Sequence, residues 1–219
     1  VEMRHGGAAG SGWLSRYTAR RRARQVPAKA DVMPRSRKTL LAYTLTVLWI
    51  MTMVWAFWWY QGRYMRPFDA SPTLFSGEHL RLPGGLSGPG PVRLVHFWDP
   101  GCPCNVGNQQ HLAELMNRYA GQVQFYALQR AGSRGQLPAP LGALTPLSGL
   151  AGADQLPASP AVAVWDTLGR LAYFGPYSEG AVCTSANSFV EPVLDALLAG
   201  RPVLAPETLA SGCFCDWQD

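Results

Sequence analysis

The chain carries five cysteines, and their spacing is the feature most directly tied to chemistry. Cys102 and Cys104 form one Cys-x-Cys pair, Cys213 and Cys215 form a second near the end of the chain, and Cys183 lies between them. An odd number leaves at least one thiol free or in an intermolecular bond. This set offers thiol–disulfide exchange, structural disulfides or binding of a soft metal ion.

Cys102 stands at a position that favours the thiolate. It follows an apolar run and a tight Asp-Pro-Gly turn at residues 99–101, and a helical pattern begins after it. Because the N–H groups at a helix N-terminus favour negative charge, we expect the pKa of this thiol to be lowered. We therefore predict Cys102 as the nucleophile that attacks a substrate disulfide; the alternative is a structural disulfide or a buried thiol.

Several thiols are candidates to resolve the resulting mixed disulfide. Cys104 can bond Cys102 across one intervening residue, and such a strained bond would be more oxidising than a structural one. Cys183 is a second candidate, with the alternative of a buried small hydrophobe or a structural partner. Cys213 and Cys215 would act either as a resolving pair on a mobile tail or as a staple, bonded to each other or to Cys183.

The elements around these cysteines alternate between strands and helices. Short apolar runs bounded by Gly and Pro predict strands, and an i, i+3, i+4, i+7 spacing predicts a helix after the cysteines, on which we expect His111 to face solvent. Residues 130–159 hold at most one short helix. The predicted elements are strands at 93–98, 123–128, 161–165 and 171–174, and helices at 104–119 and 188–198. The order is β-α-β-(α)-β-β-α with a mixed central sheet.

This order, together with Phe97-Trp98-x-x-x-Cys102 at its first turn, resembles the thioredoxin fold over roughly residues 90–200. The resemblance implies an α/β fold in which Pro160 is a cis-proline facing the cysteines. It also implies a proton-accepting role for the residue six positions before the first cysteine, which is His96 here. A hydrogen-bonded core histidine is the alternative. The usual second cysteine of the motif is replaced by Asn105.

The amino-terminal third differs from the rest in charge and hydropathy. Residues 1–38 hold ten Lys/Arg against two acidic residues, a net of +8, whereas residues 72–219 hold seven Arg against eleven acidic residues, a net of −4. Residues 40–60 carry no charge, and 21 residues can span a bilayer core of about 30 Å. The basic flank places the N-terminus in the cytoplasm by the positive-inside bias. A cleaved signal peptide is the main alternative.

These patterns predict five segments. They are a basic disordered cytoplasmic tail (1–38), a transmembrane anchor (39–60), a Pro/Gly-rich connector with a possible short strand near residues 80–82 (61–92), a thioredoxin-like domain (93–200) and a C-terminal tail with Cys-Phe-Cys (201–219). An anchor followed by such a domain is similar to the membrane-tethered thioredoxin-like proteins of bacterial envelopes. The tail and Cys-Pro-Cys are also similar to an uncharacterised bacterial family of such domains.

The function that we predict is a thiol–disulfide oxidoreductase of the bacterial inner membrane, with its domain in the periplasm, acting on protein thiols and disulfides. We expect no cofactor and no nucleic-acid partner, because the basic residues lie outside the folded part. Two alternatives stay open. One is a metal module that binds copper through the Cys-x-Cys pairs with Cys183 and His96. The other is a non-catalytic adaptor with all its cysteines in structural bridges.

Overall fold

The computed structural model describes residues 36–69, 76–203 and 210–218. The chain divides into two compact units, Val1–Trp49 and Ile50–Asp219. Most of the basic tail predicted over residues 1–38 lies outside the described residues. The described elements are helices α1 (Arg37–Tyr64), α2 (Val106–Arg118) and α3 (Val190–Leu198), and strands β1 (Met65–Pro67), β2 (Val92–Trp98), β3 (Val123–Gln129), β4 (Thr145–Leu147), β5 (Ala158–Ser159), β6 (Ala161–Trp165), β7 (Leu171–Gly175), β8 (Ser211–Cys213) and β9 (Cys215–Asp216).

Helix α1 contains the segment predicted as the anchor. It has 28 residues, about 42 Å of helix at 1.5 Å per residue, and none of them is buried. By length and composition it is the one helix among the described residues that could cross a membrane. The helix extends a few residues beyond both ends of the predicted anchor.

The central sheet has five strands in the order β4-β3-β2-β6-β7. Strand β2 pairs parallel with β3, and β3 pairs parallel with β4, whereas β6 runs antiparallel to both β2 and β7. Helix α2 makes the crossover between β2 and β3, and α3 follows the β6–β7 hairpin. This topology confirms the predicted thioredoxin-like α/β fold with a mixed sheet.

The core covers both faces of β2, whose seven residues are all buried. Side chains alternate along the strand, so Leu94 packs with α2 and α3 on one face. Val95 and Phe97 pack on the opposite face with Phe214 and Trp217 from the C-terminal segment. A continuous apolar run is therefore explained by burial on two sides.

Several details differ from the sequence-based expectation. Residues 130–159 contain two short 3₁₀ helices, Ala139–Leu141 and Ala153–Gln155, and the edge strand β4, where at most one helix was predicted. Near residues 80–82, Arg81 forms a single bridge with Ala151. The prediction that His111 faces solvent is wrong: the side chain is buried, and its Nε2 lies 2.9 Å from Ser188 Oγ.

The C-terminal segment, residues 210–218, is part of the fold. Strand β8 pairs antiparallel with β1, and β9 pairs antiparallel with β5. Two aromatic side chains of this segment, Phe214 and Trp217, are buried. Strand pairing and aromatic burial together hold the segment against the domain.

We expect Gly107→Ala to lower the free energy of unfolding by about 1–3 kcal/mol, as overpacking does. Gly107 lies in the first turn of α2, where a Cβ would overlap the carbonyl oxygen of Ala181. Alanine normally favours a helix over glycine, so a loss would reverse the usual sign. Chemical denaturation of the full chain in detergent measures the effect.

Gly85→Ala is the matched control, because a Cβ there meets nothing within 4 Å. Equal stability of both variants would contradict the tight packing of the α2 N-terminus against residues 181–182.

Candidate active site

The two Cys-x-Cys pairs are joined to each other by two disulfides. Cys102 bonds Cys215, with Cα atoms 5.9 Å apart, and Cys104 bonds Cys213, with Cα atoms 5.3 Å apart. The first cysteine of each motif therefore bonds the last cysteine of the other, so the two motifs run in opposite directions. The bond considered between Cys102 and Cys104 is not formed, because β8 and β9 bring two other sulfurs beside the motif.

A turn fastened by Asp99 presents Cys102. The backbone carbonyl of Asp99 accepts hydrogen bonds from Cys102 N at 2.9 Å and from the Asn105 side-chain amide at 2.6 Å. The Asp99 carboxylate accepts from Gly101 N at 2.9 Å and pairs with Arg130 at 2.8 Å. Asn105, at the usual place of a second cysteine, thus closes the turn instead of supplying a thiol.

Cys102 faces the loop that precedes β6. The Ser159–Pro160 peptide bond is cis, which confirms the geometry that the thioredoxin resemblance implied for Pro160. Cys102 Sγ lies 3.7 Å from the carbonyl oxygen of Ser159. Ser159 is also the residue that pairs with Cys215 in the β5–β9 ladder. The cis-proline loop therefore contacts both partners of the first disulfide.

The two disulfides differ in their access to solvent. Cys102 and Cys215 line an open cavity of about 370 Å³; Cys102 itself is buried, and Cys215 is half-buried. Cys104 and Cys213 are buried and are not among the described residues that line this cavity. A soluble thiol can thus approach the first bond more readily than the second.

The cavity wall carries more positive than negative charge. Arg63, Arg66 and Arg130 line it together with two carboxylates. Arg66 pairs with Asp216 at 2.6 Å, and Arg130 pairs with Asp99. The surplus of one guanidinium favours a thiolate in the cavity, since a nearby cation stabilises the charged form of a thiol.

A second cavity, of about 490 Å³, lies on the α2 side of Cys102. Its wall includes Trp98, Pro100, Pro103 and Val106, and the Val106 side chain is 73% exposed. Pro103 and Val106 are exposed apolar residues beside Cys102, and such groups form a surface on which a polypeptide can lie.

His96 lies in the core on the α2 face of β2. Its Nδ1 is 2.9 Å from the hydroxyl of Tyr177, and the backbone of Ala161 hydrogen-bonds the same ring. Burial lowers the pKa of His96 to about 3, although the Ala161 bond opposes the shift. The imidazole is therefore neutral at neutral pH and links two parts of the core; the proton-relay role stays a prediction.

Cys183 is a free, buried thiol. Its Sγ lies 3.6 Å from the carbonyl oxygen of Tyr177, and its backbone N–H donates to Gly107 O. Burial raises the pKa of Cys183 to about 11, against the effect of hydrogen bonds with Ser178 and Ser188. This environment favours the neutral thiol, which is a poor nucleophile.

Sequence reasoning found Cys102, Cys104 and Pro160 but missed the groups that position them. The structure adds Asp99 and Arg130, which fasten the turn, and it pairs the two cysteine motifs with each other. The signal for the pairing was the identical Cys-x-Cys spacing. Two motifs of equal spacing can form two disulfides with each other, so that each cysteine of one motif bonds one cysteine of the other.

We expect the free energy of unfolding to fall as the pH decreases from 6.5 toward 3, with a contribution from His96 of up to about 1.4 kcal/mol per pH unit. In this window the unfolded chain binds a proton that the folded chain does not. Burial also lowers the pKa of His111, which acts in the same direction. Denaturation of the full chain in detergent at several pH values measures the slope.

His96→Gln removes the titrating group while keeping a polar side chain, so its stability should fall less steeply between pH 6.5 and 4. An identical slope in the variant and the parent would show that His96 titrates normally in the folded protein.

Comparison with solved structures finds several similar chains. An uncharacterized conserved protein from Geobacillus kaustophilus has 17% identity and a TM-score of 0.44, covering 72% of this chain and 88% of its own. MTB dsbF, solved in mixed oxidized and reduced forms, has 19% identity and a TM-score of 0.36, covering 50% and 82%. A thioredoxin-like protein in the oxidized form has 18% identity and a TM-score of 0.40, covering 63% and 97%.

At these scores the likenesses carry no argument about function, and the fold assignment rests on the strand order and connectivity described above. No curated protein matches the chain. The family model described as a domain of unknown function, DUF6436, matches residues 71–217, which is more than half of the sequence. The chain therefore belongs to the DUF6436 family.

Proposed function

We propose that this protein is a membrane-anchored thiol–disulfide oxidoreductase whose exchangeable bond is Cys102–Cys215. The observation that carries the proposal is the unequal placement of the two disulfides: the first lines an open, positively charged cavity and includes the half-buried Cys215, whereas both cysteines of the second are buried and are not among the described residues that line this cavity. A thioredoxin-like fold with close cysteine pairs supports redox chemistry of this class.

The exchange proceeds through a mixed disulfide. A substrate thiolate attacks Cys102 Sγ, a new S–S bond forms, and Cys215 leaves as a thiolate. A second substrate thiolate then attacks the substrate sulfur and releases Cys102. The substrate loses two electrons and two protons, and the protein gains them as two thiols. The reverse direction reduces a substrate disulfide, with Cys102 as nucleophile, and the relative potentials decide between the two.

Cys215 takes the resolving role that the sequence left open. Cys104, one earlier candidate, is bonded to Cys213, and Cys183, the other, is a buried neutral thiol. The Cys104–Cys213 bond serves a different purpose here. It keeps the C-terminal segment docked when the first bond opens, so that Cys215 stays beside Cys102 at a high effective concentration.

The stability of the fold does not require both bonds. Either bond alone closes a loop of more than 100 residues, worth about 5 kcal/mol in the chain-entropy model. Once one bond exists, the other closes a ring of about six residues and adds roughly 2 kcal/mol in the same model. One disulfide can therefore open while the segment remains in place.

The cellular setting follows from the charge asymmetry around α1. Ten Lys/Arg lie in residues 1–38, ahead of the uncharged residues 40–60, and just after that stretch come only Arg63 and Arg66. The positive-inside bias then favours a cytoplasmic N-terminus and a periplasmic domain in a bacterial inner membrane. An oxidising compartment suits persistent disulfides, and its proteins would be the substrates.

A dithiol peptide incubated with the oxidised full chain in detergent tests the proposal. Cys102→Ser should lower the exchange rate at least about 100-fold, because it removes the sulfur that forms the mixed disulfide. Cys215→Ser, incubated with the disulfide form of the same peptide, should accumulate a mixed disulfide on Cys102, detectable by intact mass. Cys183→Ser should exchange at the parent rate.

Two outcomes would contradict the proposal. Exchange by Cys102→Ser at the parent rate would leave the first disulfide without a catalytic role. Loss of exchange in Cys183→Ser would indicate that the buried Cys183 thiol, and not Cys215, resolves the mixed disulfide.

A further inference from the structure

We propose that the reduced protein holds one thiophilic d¹⁰ metal ion, Zn(II) or Cu(I), at a site built from Cys102, Cys104, Cys213 and Cys215. The site requires only the four thiols, and it stands apart from the exchange activity proposed above. It also differs from the metal set that the sequence offered, in which Cys183 and His96 completed the ligands.

The sulfur atoms of the proposed site already lie close together. The Sγ atoms of Cys102, Cys104 and Cys215 all lie within 4.8 Å of one another, and Cys213 Sγ is bonded to that of Cys104. In a tetrahedral site with Zn–S bonds of about 2.3 Å, neighbouring sulfurs stand about 3.8 Å apart. Each bonded pair therefore needs to separate by about 2 Å after reduction, roughly 1 Å for each sulfur.

The proposed ligands are all cysteine sulfurs. Four thiolates without oxygen or nitrogen ligands select soft or borderline cations, and tetrahedral S₄ coordination is typical of structural zinc. Two ligands come from the turn before α2, which hydrogen bonds to Asp99 fasten, and two come from β8 and β9, which are fixed by their ladders with β1 and β5. Such preorganised sulfurs lose little freedom when a metal binds.

The surroundings of the sulfurs are largely buried. Cys102, Cys104 and Cys213 form one buried cluster against Tyr64 and Cys215, which limits access of water to a bound ion. Tyr60 Oη lies 3.7 Å from Cys213 Sγ and can donate a hydrogen bond to a thiolate there. Hydrogen bonds to ligand atoms orient them and tune the metal.

The charge around the cluster also fits. Four thiolates with Zn(II) carry a net charge of −2, and with Cu(I) a net charge of −3 unless some thiols stay protonated. Arg63, Arg66 and Arg130 line the cavity beside Cys102 and Cys215 together with two carboxylates, which leaves a surplus of one guanidinium. This net positive charge next to a thiolate cluster offsets part of its negative charge.

Reduction of the two disulfides takes four electrons from a dithiol or a phosphine, with four protons from the dithiol or, for the phosphine, from water, and it yields four thiols. Coordination of Zn(II) by four thiolates then releases four protons. A disulfide oxidant that accepts four electrons from the thiolates, and four protons from solvent, returns the two protein disulfides and frees the ion. The two states of the cluster are therefore mutually exclusive.

The test uses the full chain in detergent, reduced with a phosphine and freed of metal under anaerobic conditions. Zn(II) and Cu(I) are titrated separately against a competing chelator, and Co(II) serves as a spectroscopic probe for thiolate ligation. We expect one ion per chain for Zn(II) or Cu(I). Bound metal should also protect four of the five cysteines from alkylation by a maleimide.

Variants locate the site. Cys104→Ser combined with Cys213→Ser should abolish stoichiometric binding, whereas Cys183→Ser should keep it, because Cys183 lies outside the cluster. Failure of both metals to bind the reduced parent, or loss of binding in Cys183→Ser alone, would overturn the inference. Exchange by the metal-free oxidised protein is measured separately, so failure of one proposal does not decide the other.

Discussion

The docking of the C-terminal segment is the constraint on which the rest of the site depends. Residues 210–218 pair with β1 on one side and with β5 on the other, and the buried rings of Phe214 and Trp217 anchor them. This placement brings two cysteines from more than 100 residues away against the turn at the head of α2. Without it, Cys102 and Cys104 would have only each other or Cys183 as partners.

In the proposed exchange, the two disulfides have different functions. Cys102, Cys104 and Cys213 are all buried, but Cys102 and the half-buried Cys215 line the cavity that carries the arginine side chains, whereas Cys104 and Cys213 are not among the described residues that line it. The second bond would hold the geometry while the bond in the cavity exchanges. The same convergence that allows two disulfides also creates a four-thiolate cluster when both are reduced. The redox state of the four cysteines would thus determine whether they form disulfides or bind a metal ion.

The sequence predicted the local elements well, because each is determined by its own residues. The apolar runs of β2, β6 and β7 and the periodic spacing of α2 are local signals, and the structure contains all of these elements. The central fold class follows from their order. The edge strand β4 was not predicted, because Thr145 and Pro146 are exposed and the strand has no alternation of apolar and polar side chains.

The errors concern pairings between distant segments. His111 is buried because Ser188 and α3 pack against α2, a contact that spacing along α2 cannot reveal. Likewise, the partner of Cys102 depends on where the chain returns after α3. Equal spacing in the two Cys-x-Cys motifs indicated that they could pair, but strand ladders with β1 and β5 set the register.

Stepwise reduction of the oxidised full chain tests the central claim most directly. Limiting phosphine at acidic pH, followed by rapid alkylation and fragment mass spectrometry, identifies which sulfurs are released first. We expect a first intermediate labelled on Cys102 and Cys215, with Cys104 still bonded to Cys213. An intermediate labelled first on Cys104 and Cys213, or a bond between Cys102 and Cys104 in the starting protein, would contradict it.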